Sequence, residues 1–179
     1  MGVVNSEWYT PARYIELARR VLGTIDVDPA SSPIAQETVK AETFYTAEMD
    51  GLSKEWRGNV WMNPPHARQL IGLFADKIID EYESGRAREA IVLTHNYTDT
   101  AWFHKLAKGS DLLCLTRGRI RFVSPEGKLA VPTQGQAFFY FGENTTRFAE
   151  VFREVGKVLR RFPPTGSAEP SFASLQVAA

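Results

Sequence analysis

The feature that most constrains the fold is an alternation of short apolar runs with segments of helical periodicity. Residues 89–95, EAIVLTH, and 136–142, QAFFYFG, are almost continuously apolar, which is typical of strands buried on both faces of a sheet. Between such runs, apolar residues recur three and four positions apart, as they do in amphipathic helices. The alternation predicts an α/β fold in which a mostly parallel sheet carries helices on both faces.

Local signals set the predicted boundaries. Pro11 suits a first helical position and Gly23 a helix stop, while Pro64 and Pro65 end a strand. Helices are predicted over residues 11–22, 67–84, 99–108 and 144–161, with a further short helix in the otherwise irregular stretch 34–56. Strands are predicted over residues 24–28, 59–63, 89–95, 111–116 and 136–142. A β-hairpin is predicted near 117–133, turning at SPEGK.

The chain length indicates one domain. A chain of 179 residues buries roughly 70% of its unfolded surface when it folds. We assign residues 1–162 to this domain. Residues 163–179 are rich in Pro, Ser, Ala and Gly and are predicted to be a disordered tail.

Composition argues against several classes of protein. No apolar run approaches the ~20 residues that cross a membrane, and the first residues do not resemble a secretory signal. The single cysteine, Cys114, lies in an apolar run, which fits a buried side chain and a reducing cytoplasm. The three histidines are too dispersed to predict a metal site. The formal net charge is zero, so a nucleic-acid partner would have to be held by a local basic patch.

Two strands end in polar residues, and ligands of parallel α/β sheets bind beyond the carboxyl ends of strands. Asp26 and Asp28 belong to the first strand, where a carboxylate can accept hydrogen bonds from a ribose or an ammonium group. Turn or helix-cap aspartates are the alternative interpretation. No glycine-rich phosphate-binding motif follows, so a dinucleotide or nucleotide triphosphate site has no support.

The second strand is followed by Asn63, Pro64, Pro65 and His66. Consecutive prolines fix the backbone and remove two N–H donors. The Asn63 amide oxygen and a proline carbonyl then form a pair of acceptors suited to an amino group, and the ring of His66 can stack on the planar group that bears it. A turn that merely ends the strand remains the alternative.

In its order and spacing of motifs the chain resembles the S-adenosylmethionine (SAM)-dependent amino methyltransferases, and more closely the phage-type, Dam-like DNA adenine methyltransferases. The resemblance runs from Trp8 to about Gly156. Its motifs are EWYTP, DVDPASS, FYTAEMDGLSKEW, GNVWMNPP, THNYTDTAWFHKL, RGRIRF and GQAFFYFG.

The resemblance implies a Rossmann-like methyltransferase domain that transfers a methyl group from SAM to the exocyclic amino nitrogen of adenine in DNA. The cofactor-binding positions it implies are Trp8, Thr10, Pro11, Asp28, Asp50 and, with a weaker match, Asp26. The catalytic positions are Asn63, Pro64 and Pro65, with His66 at the aromatic position of the motif.

The chain departs from the wider family in two ways. The glycine-rich F-x-G-x-G form is replaced by DPASS, and the short distance from Asp28 to Asn63 predicts a trimmed fold between these strands. His66 stands where Tyr, Phe or Trp is usual, and it brings a titratable group, whose reference pKa is ~6.5, next to the reacting amine. A histidine that caps the following helix is the alternative.

A base inside a duplex cannot be reached, so the adenine must be flipped out or single-stranded. Candidate phosphate contacts are Arg68, Arg117, Arg119, Arg121 and Lys128. A solvated strand face is the other interpretation of these arginines. Two functions stay open beside the leading one. They are methylation of another amino substrate (cytosine, RNA adenine or protein glutamine), and DNA binding by an inactive relative.

Overall fold

A computed structural model describes residues 8–67, 69–124, 126–131 and 133–160. Arg68 and the predicted tail, 163–179, lie outside these residues. The helices of the described part are α1 (Ala12–Leu22), α2 (Pro33–Val39), α3 (Leu70–Glu83), α4 (Ala101–Gly109) and α5 (Thr145–Phe152). The strands are β1 (Val27–Asp28), β2 (Thr43–Phe44), β3 (Gly58–Met62), β4 (Ala87–His95), β5 (Leu112–Thr116), β6 (Gln136–Phe141) and β7 (Gly156–Arg160).

All seven strands form one sheet, in the order β2-β1-β3-β4-β6-β5-β7. The pairs β1–β2, β1–β3 and β3–β4 are parallel, whereas β6 is antiparallel to β4 and β5, and β7 to β5. Strands β1 to β5 therefore run in one direction and only β6 and β7 oppose them, which confirms the predicted, mostly parallel sheet. Strand order reverses between β1 and β3, so the carboxyl ends of these two strands mark the expected ligand site.

Alternation along the central strands divides the core between the two faces of the sheet. In β3, Trp61 packs with residues of α1 and α5, while Val60 and Met62 pack with residues of α3 and α4. In β6, Phe138 belongs to the first cluster and Phe139 to the second. Because side chains of a strand point alternately to opposite faces, both faces are covered by helices, as predicted. The fold is consistent with a Rossmann-like methyltransferase.

The segment between β1 and β3 is short but not irregular. It holds the 7-residue helix α2, where a short helix was predicted, and the 2-residue strand β2, which was not predicted. Strand β2 is held to β1 by hydrogen bonds from the amides of Thr43 and Tyr45 to the carbonyls of Asp26 and Asp28. Two residues are too few to show a strand periodicity, so only the pairing reveals this strand.

The predicted terminal helix over residues 144–161 is wrong in its second half. Helix α5 ends at Phe152, and Gly156–Arg160 forms the edge strand β7, paired with β5 in the register Thr116↔Gly156. A Cβ on Gly156 would lie 2.1 Å from the Leu115 carbonyl oxygen, so the glycine allows a close backbone approach. Apolar residues continue at helical spacing beyond Phe152, and this spacing explains the predicted helix. The segment forms a strand instead, because its backbone pairs with the edge of β5.

The predicted hairpin is present, but its paired residues lie within 122–130, a shorter stretch than the predicted 117–133. Val123 bridges Leu129, and the Ala130 amide donates to the Phe122 carbonyl at 2.7 Å. On its other side Val123 pairs with Tyr9 through two backbone hydrogen bonds, at 2.8 and 2.9 Å. This pairing places the segment before α1 beside the sheet edge where β1 and β3 end. None of the described helices is long and apolar enough to cross a membrane.

Candidate active site

A cleft of about 860 Å³ lies at the carboxyl ends of β1, β3 and β4. It is walled by the loops that follow β1 and β3, by the segment before α1 and by the hairpin. The predicted site residues that line it are Trp8, Thr10, Asp28, Asp50, Asn63, Pro64, Pro65 and His66. The tertiary structure thus brings together most of a set that was spread over nearly sixty positions of sequence.

Asn63 lies directly after β3, and the two polar atoms of its side-chain amide differ in their hydrogen bonding. Its Nδ2 donates to the Thr10 hydroxyl oxygen at 3.3 Å, while its Oδ1 is buried and has no hydrogen-bond partner among the residues that the structure describes. A buried polar atom without a partner costs roughly 1–3 kcal/mol, so few persist without a reason. A lone acceptor in the wall of a cleft is suited to a donor that arrives with a ligand.

The two prolines shape the backbone beside this acceptor. Pro64 is buried and Pro65 exposed, and the described peptide bonds are all trans. Since neither residue has an N–H, no backbone donor competes with a ligand at this turn.

His66 is fixed against His95, the last residue of β4. The His95 backbone N–H donates to His66 Nε2 at 3.1 Å, and the two rings stack with centroids 3.9 Å apart and planes at 22°. Because Nε2 accepts a hydrogen bond, a neutral His66 carries its proton on Nδ1. Burial, and secondarily the nearby His95, lower the pKa of His66 to about 3. At a pH near the reference pKa of ~6.5, the ring of His66 in the folded protein is therefore neutral.

Asp28 ends β1 and is only 3% exposed. Its carboxylate accepts from Gln36 Nε2 at 2.8 Å and from the Ala30 amide at 3.4 Å. Burial raises the pKa of Asp28 to about 6, and the hydrogen bonds from Ser31, Ala30 and Gln36 oppose that rise. Gln36 is itself fixed, since its Oε1 accepts from the Ala41 amide at 2.8 Å.

Asp50 reaches the cleft through the loop before the short 3₁₀ helix Gly51–Ser53. Gly51 makes this possible, because a Cβ there would lie 2.0 Å from the Pro29 carbonyl oxygen. The fully buried Trp56 anchors the same loop by donating from Nε1 to the Gly51 carbonyl at 2.8 Å. The loops carrying Asp28 and Asp50 are thus packed backbone to backbone.

Two predicted cofactor-binding residues are not brought into the cleft. Asp26 accepts from the Thr24 hydroxyl at 2.7 Å and from the Asn59 amide at 2.8 Å, at the opposite end of β3. Pro11 precedes α1 and accepts through its carbonyl from the Tyr14 amide, but does not line the cleft. Asp28, the last residue of β1, is thus placed to meet a ligand, whereas Asp26, directly before β1, joins that segment to β3.

The four predicted basic residues that the structure describes, Arg117, Arg119, Arg121 and Lys128, do not line the cleft. Ile120 is buried and lines the cleft together with Phe122, while Arg119 and Arg121, which alternate with them, are exposed. Arg117 and Lys128 are exposed as well. The cleft wall formed by this segment therefore carries its charges on the outer side.

His95 and Gln136 also line the cleft. The end of the apolar strand predicts this position for His95, whereas Gln136 was not among the predicted site residues. Gln136 begins β6, where its Oε1 accepts from the Ile120 amide at 2.7 Å and so holds the hairpin segment to the sheet. Within the described ranges, no group of three or more His, Cys, Asp or Glu side chains is placed to hold a metal ion.

Comparison with known proteins agrees with this geometry. The sequence profile of one family, described as DNA N-6-adenine-methyltransferase (Dam), matches residues 3–146. None of the curated proteins compared with the chain matches it. The matched stretch covers most of the chain and contains every cleft residue described above. The chain therefore belongs to the DNA N-6-adenine-methyltransferase (Dam) family, enzymes that methylate adenine in DNA.

Proposed function

We propose that the protein transfers the methyl group of SAM to the exocyclic amino nitrogen of adenine in DNA, with Asn63 and Pro64 holding that amino group. The observation that carries the proposal is Asn63 Oδ1, which is buried in the wall of the cleft and is bonded to none of the described residues. An adenine amino group would supply the missing donor. Thr10 supports this role, because its hydroxyl oxygen accepts the hydrogen bond from Asn63 Nδ2 and leaves Oδ1 available to the substrate.

The cleft residues fit SAM. About 860 Å³ is enough for a ligand of that size together with a base. Asp28 is suited to ribose hydroxyls, Asp50 lies on the same wall, and the Trp8 ring is 46% exposed and free to pack on a flat group. When bound, SAM would supply an electrophilic methyl group on a cationic sulfur.

The chain's own residues would make the amine nucleophilic. The lone pair of the adenine amino nitrogen is delocalised into the ring, which makes the nitrogen a poor nucleophile. If Asn63 Oδ1 and the Pro64 carbonyl accept hydrogen bonds from its two N–H groups, the nitrogen can become pyramidal and direct its lone pair at the methyl group. Pro65 would hold this geometry rigid, and His66 would stack on the base. The N–C bond would form as the S–C bond breaks, and the methylated nitrogen would then release its surplus proton to water.

DNA contact is proposed for the outer side of the cleft wall. The target base must leave the stack to reach Asn63, so the strand has to lie across the cleft mouth. Arg117, Arg119, Arg121 and Lys128 are exposed beside that mouth and are proposed to contact phosphates, as is Arg68. With zero net charge, binding would depend on these few contacts and weaken steeply with salt.

A methylation assay tests the proposal. The protein is incubated with SAM and unmethylated DNA, which is then digested to nucleosides and analysed for N6-methyladenine. Asn63→Ala should abolish the product, whereas Asn63→Asp, which retains an acceptor oxygen, should keep part of it. Both variants should bind SAM like the wild type in calorimetry.

Other products would identify the alternatives. Methylcytosine, methylated RNA or methylated glutamine in place of N6-methyladenine would show a different substrate. Binding of DNA and SAM with no product on any of these would indicate an inactive relative. Full activity of Asn63→Ala would refute the mechanism.

A further inference from the structure

Two histidine rings from different strand ends form a stacked pair in the wall of the cleft. His66 follows the double proline after β3, and His95 is the last residue of β4. Their centroids are 3.9 Å apart, their planes meet at 22°, and the His95 N–H donates to His66 Nε2 at 3.1 Å. His66 is therefore held both across its face and at its edge.

The side chain of His95 interacts through the face of its ring and not through Nδ1. Its Nδ1 is buried and bonds to no group in the described part of the chain, although buried histidines normally bond their nitrogens. Its ring instead contacts His66 on one side and Tyr97, with centroids 5.1 Å apart, on another. Tyr97 in turn meets Trp102 edge-on at 6.3 Å, which ties this row of rings to α4.

The pair stays uncharged under ordinary conditions. Burial lowers the pKa of both rings, that of His66 more strongly. Two neutral imidazoles stack without repulsion, and an unprotonated Nε2 can accept the backbone hydrogen bond. The smaller face of histidine at the aromatic position is thus backed by a second ring.

We propose that His95 is a positioning residue for the target base: it backs His66 so that the two rings together form a stacking platform for the flipped adenine. The inference rests on the proposed function and goes beyond it, because His95 acts through His66 and not on the reacting atoms. The adenine would stack on the face of His66 that His95 does not cover.

Substitution of His95 separates stacking from other roles. His95→Ala removes the ring but keeps the backbone N–H, so it tests the face of the ring alone. His95→Phe restores a flat ring without nitrogens. Base–aromatic stacking contributes on the order of a 10-fold effect or more. We expect His95→Ala to lower kcat/KM for DNA about 10-fold or more, His95→Phe to remain within about 3-fold of the wild type, and SAM affinity to be unchanged in both.

A double-mutant cycle with His66→Ala tests the coupling. If His95 acts through His66, the change His95→Ala should have little further effect on kcat/KM once His66 is Ala. His104→Ala is the matched control, because His104 is exposed on α4 and does not line the cleft. Thermal unfolding of every variant separates loss of the fold from loss of base positioning.

The outcomes distinguish the inference from the function on which it rests. Loss in His95→Ala, rescue in His95→Phe and non-additivity with His66→Ala support the platform. If His95→Ala behaves like His104→Ala, or if the two alanine effects simply multiply, the platform is refuted while the methyltransferase activity stands. If the wild type forms no N6-methyladenine at all, the proposed function fails and the inference falls with it.

Discussion

The Thr10 hydroxyl accepts a hydrogen bond from Asn63 Nδ2 at 3.3 Å, which joins the end of β3 to a residue 53 positions earlier in the chain. Thr10 reaches this place because the adjacent Tyr9 pairs with Val123 of the hairpin. The bond determines which atom of the Asn63 amide is left for a substrate. The site therefore depends on three segments far apart in sequence.

Removing this hydroxyl should impair catalysis. In Thr10→Val the Asn63 amide loses its partner and can rotate, so that Oδ1 is no longer held for the amino group. Small misplacements in an active site can cost up to ~100-fold, and we expect kcat to fall about 10- to 100-fold. Thr10→Ser keeps the hydroxyl and should stay within about 3-fold. Equal activity of the two variants in the methylation assay would contradict this role.

The pH dependence of stability should report on Asp28. Burial raises its folded-state pKa from the ordinary 3.8 to about 6, so between these values the folded protein holds a proton that the unfolded chain has released. This proton contributes on the order of 3 kcal/mol to the free energy of unfolding. The contribution is fully present below about pH 4 and is lost as the pH rises through 6. Asp28→Asn cannot titrate. Urea unfolding from pH 4 to 8 should therefore show a flatter profile for the variant, and parallel profiles would contradict the assignment.

Gly51→Ala should loosen the loop that carries Asp50. The new Cβ would lie 2.0 Å from the Pro29 carbonyl oxygen, and backbone atoms must shift to avoid it. We expect a loss of about 1–3 kcal/mol in unfolding free energy and weaker SAM binding. Gly72→Ala is the control, because Gly72 lies in α3 with nothing within 4 Å of a Cβ. It should stabilise the protein by about 0.5–1 kcal/mol and leave SAM affinity unchanged.

His66 should remain neutral across the working pH range. Burial and His95 lower its folded-state pKa to about 3, so the ring contributes stability above the unfolded value of ~6.5 that is lost as the pH falls. In NMR spectra, the His66 ring signals, assigned with His66→Phe, should not shift between pH 5 and 8. In the urea-unfolded chain they should titrate near ~6.5. A folded-state inflection near that value would contradict the burial argument.

The basic hairpin segment should set the salt dependence of DNA binding. We expect replacement of Arg117, Arg121 and Lys128 by Gln to reduce the slope of log K against log salt by about 0.9 for each phosphate of duplex DNA that the variant no longer neutralises. Lys105→Gln is the matched control, since Lys105 is exposed and ion-paired with Asp76, 2.6 Å away. An unchanged slope in the triple variant would place the DNA elsewhere.

Much of the central architecture could be predicted from local pattern. The apolar runs that became β4 and β6 and the double proline after β3 are properties of short segments, and the structure retains them. The cluster around Asn63 was predictable for the same reason, since residues at the carboxyl ends of neighbouring parallel strands must meet at one edge.

Pairing between distant segments could not be predicted from local sequence pattern. Strand β7 was predicted as helix because the residues after Phe152 keep a helical spacing. Their strand conformation depends on backbone pairing with β5, which local pattern does not show. Asp26 and Asp28 lie only two positions apart in sequence, yet the first joins β1 to β3 and the second lines the cleft.

The sequence by itself determined the sheet with helices on both faces and the proline turn that follows Asn63, because burial periodicity and proline geometry are local properties. Only the tertiary structure decided that Thr10 orients the Asn63 amide and that His95 covers one face of His66. Those contacts depend on where separate strands end relative to one another, and hydrogen bonding across the sheet sets that relation.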